Sequence, residues 1–336
     1  MSETQFSSAA IIGSGSFGVA MATLLTPKLD SILLIGRDSA TAEIMNRERR
    51  NPHYLSSAVL DDKVHASCAL TDALPHPLVI FAVPTSATRE TAQKLAHAGL
   101  PANAILLSCA KGIEKHTGER MSQILREIFP SNPIAALSGP NHAEEIARHL
   151  ATCAVIGSED QTLTVRLQQL FTLPHFRSYT SDDLAGIELG GALKNVYAIA
   201  AGMAHGLGLG DNAVAALVTR ALAEMTRLGT ALGGRVETFS GLSGMGDLLV
   251  TCFSEHSRNH RVGFAIGSGK SLTEAVATLG MVAEGVPNTL SIHEAARRAN
   301  VRTPIIDAVY GILYQGNPAP LAMQQLLSRD PRPEHS

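Results

Sequence analysis

The chain has 336 residues, a formal net charge of −3, 45% apolar residues and 17% charged residues. This length favours two domains, each with its own core, and the absence of a basic excess argues against a general nucleic-acid-binding protein. No apolar run reaches the ~18 residues typical of a transmembrane helix, so no membrane span is expected.

Short apolar runs alternate with helical stretches over the first half of the chain. Because the strands of a parallel sheet are buried on both faces, continuously apolar runs predict such strands. The predicted strands are Ala9–Ile12, Ile32–Ile35, Leu78–Val83, Ala104–Ala110, Ile134–Ser138 and Thr152–Ile156. Between two of them, Gly118–Phe129 has apolar residues at helical spacing. This alternation predicts a parallel α/β sheet.

The pattern becomes wholly helical from about Asp183, and no strand is predicted beyond Tyr179. The predicted helices cover residues 184–206, 212–232, 244–253, 257–267, 271–279, 285–299, 304–314 and 319–328. The fold class is therefore α/β, with an N-terminal Rossmann-type parallel-sheet domain over residues 1–182 and an all-helical C-terminal domain over residues 183–336. Because no Pro- or Ser-rich linker separates the two domains, we expect them to pack closely.

A glycine motif follows the first predicted strand and precedes an apolar helix. Gly13, Gly15 and Gly18 have the G-x-G-x-x-G spacing that is typical of dinucleotide binding. The first glycine permits a tight turn, the second lets the backbone approach a pyrophosphate, and the third lets the helix pack against the strand. The helix N-terminus adds N–H donors for the phosphates. A purely structural turn is the alternative, but the following βα units favour a dinucleotide.

The second strand bears on the choice between NAD(H) and NADP(H). An NAD-specific enzyme usually has an acidic residue near the end of this strand, where it binds the ribose 2′-hydroxyl. Here Gly36 holds that position, and Arg37 and Asp38 follow it. Arg37 can pair with a 2′-phosphate, while Asp38 can simply cap the next helix. The pattern favours NADP(H) and leaves NAD(H) open.

Two lysines occur at positions of interest. Lys111 follows a predicted strand, at the edge where doubly wound sheets bind ligands, although an ordinary loop lysine fits equally well. Lys194 lies in an apolar helix with Gly190 and Gly191 one turn before it. A glycine in a helix costs about 1 kcal/mol relative to alanine, so we expect this pair to leave space for a ligand. Burial would lower the pKa of Lys194 towards that of a general base; the alternative is a lysine that extends to the surface.

The helical half contains a candidate anion site. Asp247 is the single charge in a glycine-rich and then apolar stretch, where it either caps a helix or orients a lysine or the substrate. Ser257 suits a helix N-cap, which places Arg258 and Asn259 in the first helical turn. A cation there is unfavourable unless an anion lies nearby, and a guanidinium binds phosphate through two hydrogen bonds.

Signals for a metal site, disulfides or export are weak. His256 and His260 have the spacing of a helical metal-binding pair, but no carboxylate completes an H-E-x-x-H motif, so we predict no metal. The four cysteines are widely spaced and form no C-x-x-C pair, which indicates reduced thiols in a cytoplasmic protein. We expect no signal peptide, because the amino terminus has no basic region followed by an apolar one.

Together, these motifs resemble the bacterial NAD(P)-dependent glycerol-3-phosphate dehydrogenase family over nearly the whole chain. The most distinctive string is Leu189-Gly-Gly-Ala-Leu-Lys-Asn-Val196. The other shared motifs are Gly13-Ser-Gly-Ser-Phe-Gly18, Val83-Pro84-Thr85, Ala110-Lys-Gly-Ile-Glu114, Leu137-Ser-Gly-Pro140, Gly244-Met-Gly-Asp247, Ser257-Arg-Asn259 and Val282-Ala-Glu284. The resemblance implies a C-terminal domain like that of 6-phosphogluconate dehydrogenase, a homodimer, and a role in making the glycerol phosphate of phospholipids.

The resemblance also implies roles for individual residues, with Lys194 as the proton acceptor. The implied cofactor-binding residues are Gly13, Gly15, Ser16, Phe17, Gly18, Arg37, Lys111, Ala143, Arg258, Val282 and Glu284. The implied substrate-binding residues are Lys111, Gly139, Asn141, Lys194, Asp247, Ser257, Arg258 and Asn259. We therefore expect reversible hydride transfer between NAD(P)H and dihydroxyacetone phosphate, which gives sn-glycerol 3-phosphate.

Two other functions fit part of the pattern. A dehydrogenase of the β-hydroxyacid or 6-phosphogluconate type also places a catalytic lysine after a Rossmann domain, but it need not carry Ser257-Arg-Asn259. A non-catalytic nucleotide sensor needs the glycine motif but not Lys194. The presence of the lysine, the aspartate and the phosphate-binding residues together favours the glycerol-3-phosphate dehydrogenase.

Overall fold

The first half of the chain is built around one sheet in the computed structural model, which describes residues 6–279 and 282–328. The strands are β1 (Ser8–Ile12), β2 (Ser31–Ile35), β3 (Val64–Ser67), β4 (Leu78–Phe81), β5 (Ile105–Ser108), β6 (Ile134–Ser138), β7 (Thr152–Gly157) and β8 (Phe176–Ser181). Their order across the sheet is β3-β2-β1-β4-β5-β6-β7-β8. All six strands predicted from apolar runs are confirmed, with small shifts of their ends.

Helices cover both faces of this sheet. They are α1 (Ser16–Leu25), α2 (Ser39–Glu48), α3 (Thr88–His97), α4 (Met121–Ile128), α5 (Ala143–Ala147) and α6 (Gln161–Phe171). Successive residues of a strand point to opposite faces: Ile11 of β1 packs with α1, α5 and α6, whereas Ile12 packs with α3 and α4. The helix predicted at Gly118–Phe129 is α4, and it begins at Met121.

The prediction of a parallel sheet is confirmed for β1 to β6 and wrong for β7, whereas β8 was not predicted as a strand. Strand β7 pairs with β6 in the antiparallel sense, and β8 then pairs with β7 in parallel. An antiparallel neighbour needs no crossover to the far edge of the sheet. The connection over residues 139–151 therefore starts and ends at the same edge, which is the carboxyl edge of β1 to β6. Continuous apolarity indicates burial but carries no information about strand direction.

The second half is helical in the described part, as predicted. Its helices are α7 (Leu184–Gly206), α8 (Asp211–Ala231), α9 (Val236–Phe239), α10 (Asp247–Phe253), α11 (Arg258–Gly267), α12 (Leu272–Ala277), α13 (Gly285–Arg298), α14 (Pro304–Gln315) and α15 (Ala319–Leu327). The short helix α9 and a π-helical turn at Leu242–Gly246 were not predicted. No helix in residues 6–279 and 282–328 has both the length and the hydropathy required to cross a membrane.

Helix α7 is the central element of the helical half, and nearly all of its residues are buried. Its backbone lies against that of α11. A Cβ atom on Gly202 would stand 2.1 Å from the carbonyl oxygen of His260, and one on Gly263 would stand 2.0 Å from that of Ile199. Both positions therefore require glycine, because real Cβ atoms do not approach backbone so closely. This contact fixes the start of α11 relative to α7.

A buried ion pair also joins the sheet domain to α7. Glu188, on the first turns of α7, accepts hydrogen bonds from the Arg120 guanidinium at 2.6 Å and from the Ser122 backbone N–H at 2.8 Å. Its carboxylate is 5% exposed, so its charge depends on these donors. Strand β8 ends at Ser181 and α7 begins at Leu184. The domain division at residues 182/183 remains our proposal, and this change from strand to helix supports it.

Candidate active site

The glycine motif forms a tight turn between β1 and α1. Gly13 has a φ of +114°, and a Cβ atom there would stand 2.5 Å from the carbonyl oxygen of Ala82. A Cβ atom on Gly18 would stand 1.8 Å from the carbonyl oxygen of Gly13. A Cβ atom on Gly15, in contrast, would meet no atom of another part of the chain within 4 Å. This geometry fits a dinucleotide, because the turn leaves open space where a pyrophosphate approaches the N-terminus of α1 at Ser16 and Phe17.

Asn51 holds this turn in place, and sequence reasoning missed it. The residue is fully buried, and its Nδ2 donates to the carbonyl oxygen of Ser14 at 2.7 Å. Its Oδ1 accepts from the backbone N–H groups of His53 and Tyr54. The side chain therefore ties the loop after α2 to the glycine turn. An Asn-Pro pair after a helix signals only a turn, so the sequence does not reveal this long-range contact.

The end of β2 lies next to the glycine turn, because the N–H of Gly13 donates to the carbonyl oxygen of Ile35 at 2.8 Å. Arg37 follows and is exposed. Asp38 is the N-cap of α2, where its carboxylate accepts from the Thr41 backbone N–H at 2.9 Å. The capping role considered for Asp38 is thus confirmed. Within residues 6–279 and 282–328 no such contact engages Arg37, which follows β2 close in the chain to the Ile35 carbonyl that binds Gly13.

Two lysines share one buried aspartate at the carboxyl edge of the sheet. The ammonium of Lys194 forms an ion pair with Oδ1 of Asp247 and donates to the Thr251 hydroxyl at 2.7 Å. The ammonium of Lys111 donates to the other carboxylate oxygen, Oδ2, at 2.8 Å. Lys194 is 5% exposed and Asp247 is 1% exposed. The alternative of a surface-reaching Lys194 is therefore wrong, and Asp247 orients both lysines.

Lys111, like Lys194, is held by several hydrogen bonds. Besides Asp247, its ammonium donates to the carbonyl oxygen of Gly139 at 2.9 Å and to Oδ1 of Asn141 at 2.8 Å. Its own backbone carbonyl accepts from the side-chain amides of Asn195 at 3.0 Å and Asn288 at 2.9 Å. An ordinary loop lysine would not have such a set of partners, so Lys111 belongs to the site.

The space expected beside Gly190 and Gly191 is filled by protein, which corrects the prediction. A Cβ atom on Gly190 would stand 2.4 Å from the carbonyl oxygen of Ser243 in the π-helical turn. One on Gly191 would stand 2.7 Å from Oγ of Ser138 and 3.3 Å from the side chain of Lys111. The two glycines therefore allow the turn before Asp247, and Lys111 itself, to lie against α7. They assemble the lysine–aspartate cluster and do not by themselves provide a ligand cavity.

The cluster shifts the pKa of its members. Burial lowers the pKa of Lys194 to about 8, with Lys111 acting in the same direction, and the opposing attraction of Asp247 only partly compensates. Burial acts to raise the pKa of Asp247, but the ammonium groups of Lys111 and Lys194 outweigh it and hold that pKa below its ordinary value. The aspartate is thus the permanent anion, and Lys194 is the group that gains and loses a proton near neutral pH.

The N-terminus of α11 lies next to this cluster. Ser257 is the N-cap, and its hydroxyl accepts from the His260 backbone N–H at 3.2 Å. Arg258 is exposed and donates one hydrogen bond to the carbonyl oxygen of Val282 at 2.8 Å. Three predicted contributors to an anion site, the cap hydroxyl, the guanidinium and the helix N-terminus, therefore lie together.

Asn259 differs from Ser257 and Arg258, because its side chain is mainly engaged within the protein. Its Nδ2 donates to Oδ1 of Asn195 at 2.8 Å, and its Oδ1 accepts from the Gly285 backbone N–H at 2.9 Å. The residue is 7% exposed. Asn259 thus joins α7, α11 and α13, and one Nδ2 hydrogen remains for a ligand.

The remaining implied cofactor residues line the edge between the glycine turn and α11. Oε1 of Glu284 accepts from the Thr85 backbone N–H at 3.3 Å, and burial raises the pKa of Glu284. Val282 is exposed beside Arg258, and Ala143 begins α5, which packs on α1. Thr85 follows β4 and Ala143 follows β6, so these contacts lie at the carboxyl edge of the sheet, where doubly wound folds bind their ligands.

Comparisons with known proteins agree with this geometry. Residues 8–164 match the model of the NAD-dependent glycerol-3-phosphate dehydrogenase N-terminus, and residues 183–324 match that of its C-terminus. The chain belongs to this family. The two other functions considered from the sequence, a dehydrogenase of another type and a nucleotide sensor, are not those of the family.

Individual relatives match along almost their whole length. A glycerol-3-phosphate dehydrogenase [NAD(P)+] of Clostridium tetani is 43% identical over 96% of this chain and 93% of its own. The corresponding protein of Carboxydothermus hydrogenoformans is 44% identical over 96% of this chain and 97% of its own. The crystal structure of the Coxiella burnetii glycerol-3-phosphate dehydrogenase superposes with a TM-score of 0.92 at 33% identity, covering 96% of this chain and 99% of that one.

Several residues of this dehydrogenase site were not singled out from the sequence. They are Thr251, Asn195 and Asn288, together with Asn51 at the glycine turn. Thr251 stands one helical turn after Asp247, and Asn195 directly follows Lys194, so their spacing gave a usable signal. Asn288 lies far along the chain from Lys111, and nothing in the sequence indicates that its amide bonds to the Lys111 carbonyl.

A glycine substitution tests where the dinucleotide binds. We expect Gly15→Ala to keep its thermal stability, because a Cβ atom there meets nothing within 4 Å. It should nevertheless raise the Kd for NADPH by at least about tenfold, which corresponds to ~1.4 kcal/mol, because the new methyl group occupies the space of the pyrophosphate. Fluorescence titration gives the Kd, and thermal melting gives the stability.

Gly18→Ala is the matched control for packing. Its Cβ atom would collide with the Gly13 carbonyl oxygen, so this variant should lose thermal stability. A folded Gly15→Ala protein with unchanged NADPH affinity would show that the pyrophosphate lies away from Gly15.

Proposed function

We propose that the protein catalyses reversible hydride transfer between NAD(P)H and dihydroxyacetone phosphate, which yields sn-glycerol 3-phosphate. The observation that carries this proposal is the buried cluster of Lys111, Asp247 and Lys194, at the same edge of the sheet as the glycine turn. A lysine with a pKa near 8 suits an alcohol–ketone interconversion, which moves one proton on oxygen for each hydride on carbon. The names of the relatives support this choice of substrate.

Several residues of the site would take separate parts in this reaction. When bound, the nicotinamide gives a hydride to C2 of the ketone, or accepts one from C2 of the alcohol. During reduction, the Lys194 ammonium donates its proton to the C2 oxygen, so that no free alkoxide forms. During oxidation, the neutral Lys194 amine removes the proton of the C2 hydroxyl. Asp247 and Thr251 hold the Lys194 side chain in place, and Lys111 adds positive potential.

The phosphate of the substrate would be held at the N-terminus of α11. Arg258 offers a guanidinium that is exposed apart from its bond to Val282, and Ser257 offers a hydroxyl proton. Backbone N–H groups of the first helical turn add further donors. A dianion is favoured here by the helix dipole and by the net positive charge of the two lysines and one aspartate.

Removal of the Lys194 ammonium group should lower the turnover rate strongly. We expect Lys194→Ala to lower kcat for reduction of dihydroxyacetone phosphate by at least ~100-fold, the usual scale for losing a general acid. The Kd for NADPH should change little, because the proposed role is confined to proton transfer. Lys270→Ala removes an exposed lysine and serves as the control. Near-normal turnover of Lys194→Ala across the pH range would remove Lys194 from the mechanism.

The pH dependence should have opposite signs in the two directions. Reduction requires protonated Lys194, so its rate should fall as the pH rises through about 8. Oxidation requires the neutral amine, so its rate should rise over the same interval. Initial rates of both directions at saturating cofactor, from pH 6 to pH 10, measure this. Two profiles with the same sign would contradict the assignment.

Arg258 should distinguish phosphorylated from unphosphorylated substrates. We expect Arg258→Ala to raise the KM for dihydroxyacetone phosphate steeply, because a hydrogen bond to a charged group contributes roughly 1.5–3 kcal/mol. The already poor use of dihydroxyacetone should hardly change. Because Arg258 also adjoins the implied cofactor site, the decisive quantity is the ratio of kcat/KM for the two substrates at saturating NADPH. An unchanged ratio would place the phosphate site elsewhere.

We also propose that Arg37 biases the enzyme towards NADPH. Arg37 is exposed and follows β2, whose end bonds to the glycine turn, while Asp38 is engaged as a helix cap. Arg37→Ala should therefore lower kcat/KM for NADPH more than for NADH, because a 2′-phosphate loses its cation. Arg47→Ala, which removes an exposed arginine at the end of α2, is the control. If Arg37→Ala leaves the cofactor ratio intact, Arg37 does not bind the 2′-phosphate.

The family resemblance also supports a proposal about the compartment, the oligomeric state and the metabolic role of the protein. We propose a cytoplasmic homodimer that supplies glycerol 3-phosphate for glycerophospholipid synthesis. All four cysteines are free, and Cys109 and Cys252 are buried, which suits a reducing compartment. Light scattering of the purified protein would test the homodimer directly.

A further inference from the structure

The connection after β6 carries polar atoms that have no protein partner. Among the described residues, Oγ of Ser138, Nδ2 of Asn141 and Nε2 of His142 are buried and form no hydrogen bond. An unsatisfied buried polar group is destabilising, so native proteins seldom keep one without a use for it. Three such atoms within five residues, beside the lysine–aspartate cluster, point to groups that bind a ligand.

His142 is the member of this group with no assigned role. It is the N-cap residue of α5, and its ring lies edge-on to that of His256, with 6.1 Å between the ring centroids. His256 directly precedes Ser257, and Asn141, the residue before His142, accepts a hydrogen bond from the Lys111 ammonium at 2.8 Å. The imidazole therefore lies near both the lysine–aspartate cluster and the N-terminus of α11.

The charge state of this imidazole narrows its possible ligands. Burial, together with the positive charges of Lys194 and Lys111, lowers the pKa of His142 to about 4. The ring is therefore neutral near pH 7, with one nitrogen that donates and one that accepts. A neutral imidazole is a poor partner for a phosphate dianion, but it suits an alcohol hydroxyl, which can also donate and accept.

The proposed substrate has one polar group left to assign. Its phosphate is directed to Arg258 and the N-terminus of α11, and its C2 oxygen to Lys194. The C1 hydroxyl remains, and a neutral imidazole near Lys194 can bind it. We propose that His142 binds the C1 hydroxyl of the triose phosphate and thereby selects substrates that carry this hydroxyl. This inference rests on the proposed function.

Paired substrates and paired variants test the proposal. The substrates are dihydroxyacetone phosphate and hydroxyacetone phosphate, which lacks only the C1 hydroxyl. His142→Phe keeps a planar ring but loses both nitrogens, whereas His142→Gln keeps a donor and an acceptor. We expect His142→Phe to reduce the preference for dihydroxyacetone phosphate, as a ratio of kcat/KM values at saturating NADPH, by about tenfold, and His142→Gln to retain most of it.

Binding provides a readout that does not depend on turnover. The Kd of glycerol 3-phosphate should rise about tenfold in His142→Phe, while the Kd of propane-1,2-diol 1-phosphate, which lacks the corresponding hydroxyl, should not change. His256→Phe, which alters the exposed neighbouring ring, should leave both the kinetic ratio and these affinities as in the wild type. If His142→Phe does not fold, as judged by thermal melting and NADPH binding, His142→Leu takes its place in both measurements.

The outcomes separate this inference from the proposed function. A wild-type protein that reduces dihydroxyacetone phosphate, combined with an unchanged substrate ratio in a folded His142→Phe or His142→Leu variant, overturns only the role of His142. An equal loss of activity with both substrates overturns it as well, because the histidine would then act on something other than the C1 hydroxyl. A wild-type protein inactive with dihydroxyacetone phosphate overturns the proposed function itself.

Discussion

The site depends on the burial of one carboxylate between two ammonium groups. An isolated charge in the protein interior is very costly, and removing one partner of a buried pair leaves the other uncompensated. Asp247 therefore has to reach both lysines at once, one with each carboxylate oxygen. This requirement explains the close packing around α7, since Gly190 lets the Ser243 backbone lie against the helix. The π-helical turn at Leu242–Gly246 then places Asp247 at the start of α10. Turns of this type are frequent at functional sites.

The antiparallel direction of β7 also helps to form this site. In a sheet that stayed parallel, the chain leaving β6 would have to cross to the opposite edge before the next strand. Because β7 is antiparallel to β6, residues 139–151 remain at the ligand edge. The Gly139 carbonyl and the Asn141 side chain thereby become acceptors for Lys111, and Ala143 starts a helix against α1. One change of strand direction thus brings two acceptors of Lys111 and the start of α5 to the edge at which Lys111 lies.

The strands and site residues that the sequence predicted are those with a local sequence signal. Strands buried on both faces are continuously apolar and were found, whereas β3 and β8 are sheet-edge strands with partly exposed residues and were missed. Lys194 could be singled out, because a lysine in an apolar helix is anomalous. Asn288 could not, because a polar residue that bonds to a distant backbone carbonyl looks ordinary in sequence. The helical glycines were recognised as meaningful, but only the structure shows that protein atoms occupy the space beside them.

The hydrogen-bond inventory explains why Lys194, and not Lys111, is suited to exchange a proton with the substrate. An ammonium has three N–H donors. Lys111 uses all three, on Gly139, Asn141 and Asp247, so it could release a proton only by giving up one of these bonds. Lys194 has two acceptors among the described residues, Asp247 and Thr251. One donor remains free, and the proposed mechanism directs it to the C2 oxygen of the substrate. Burial disfavours the charged form of Lys194, which suits this ammonium to the proposed proton transfer along that bond.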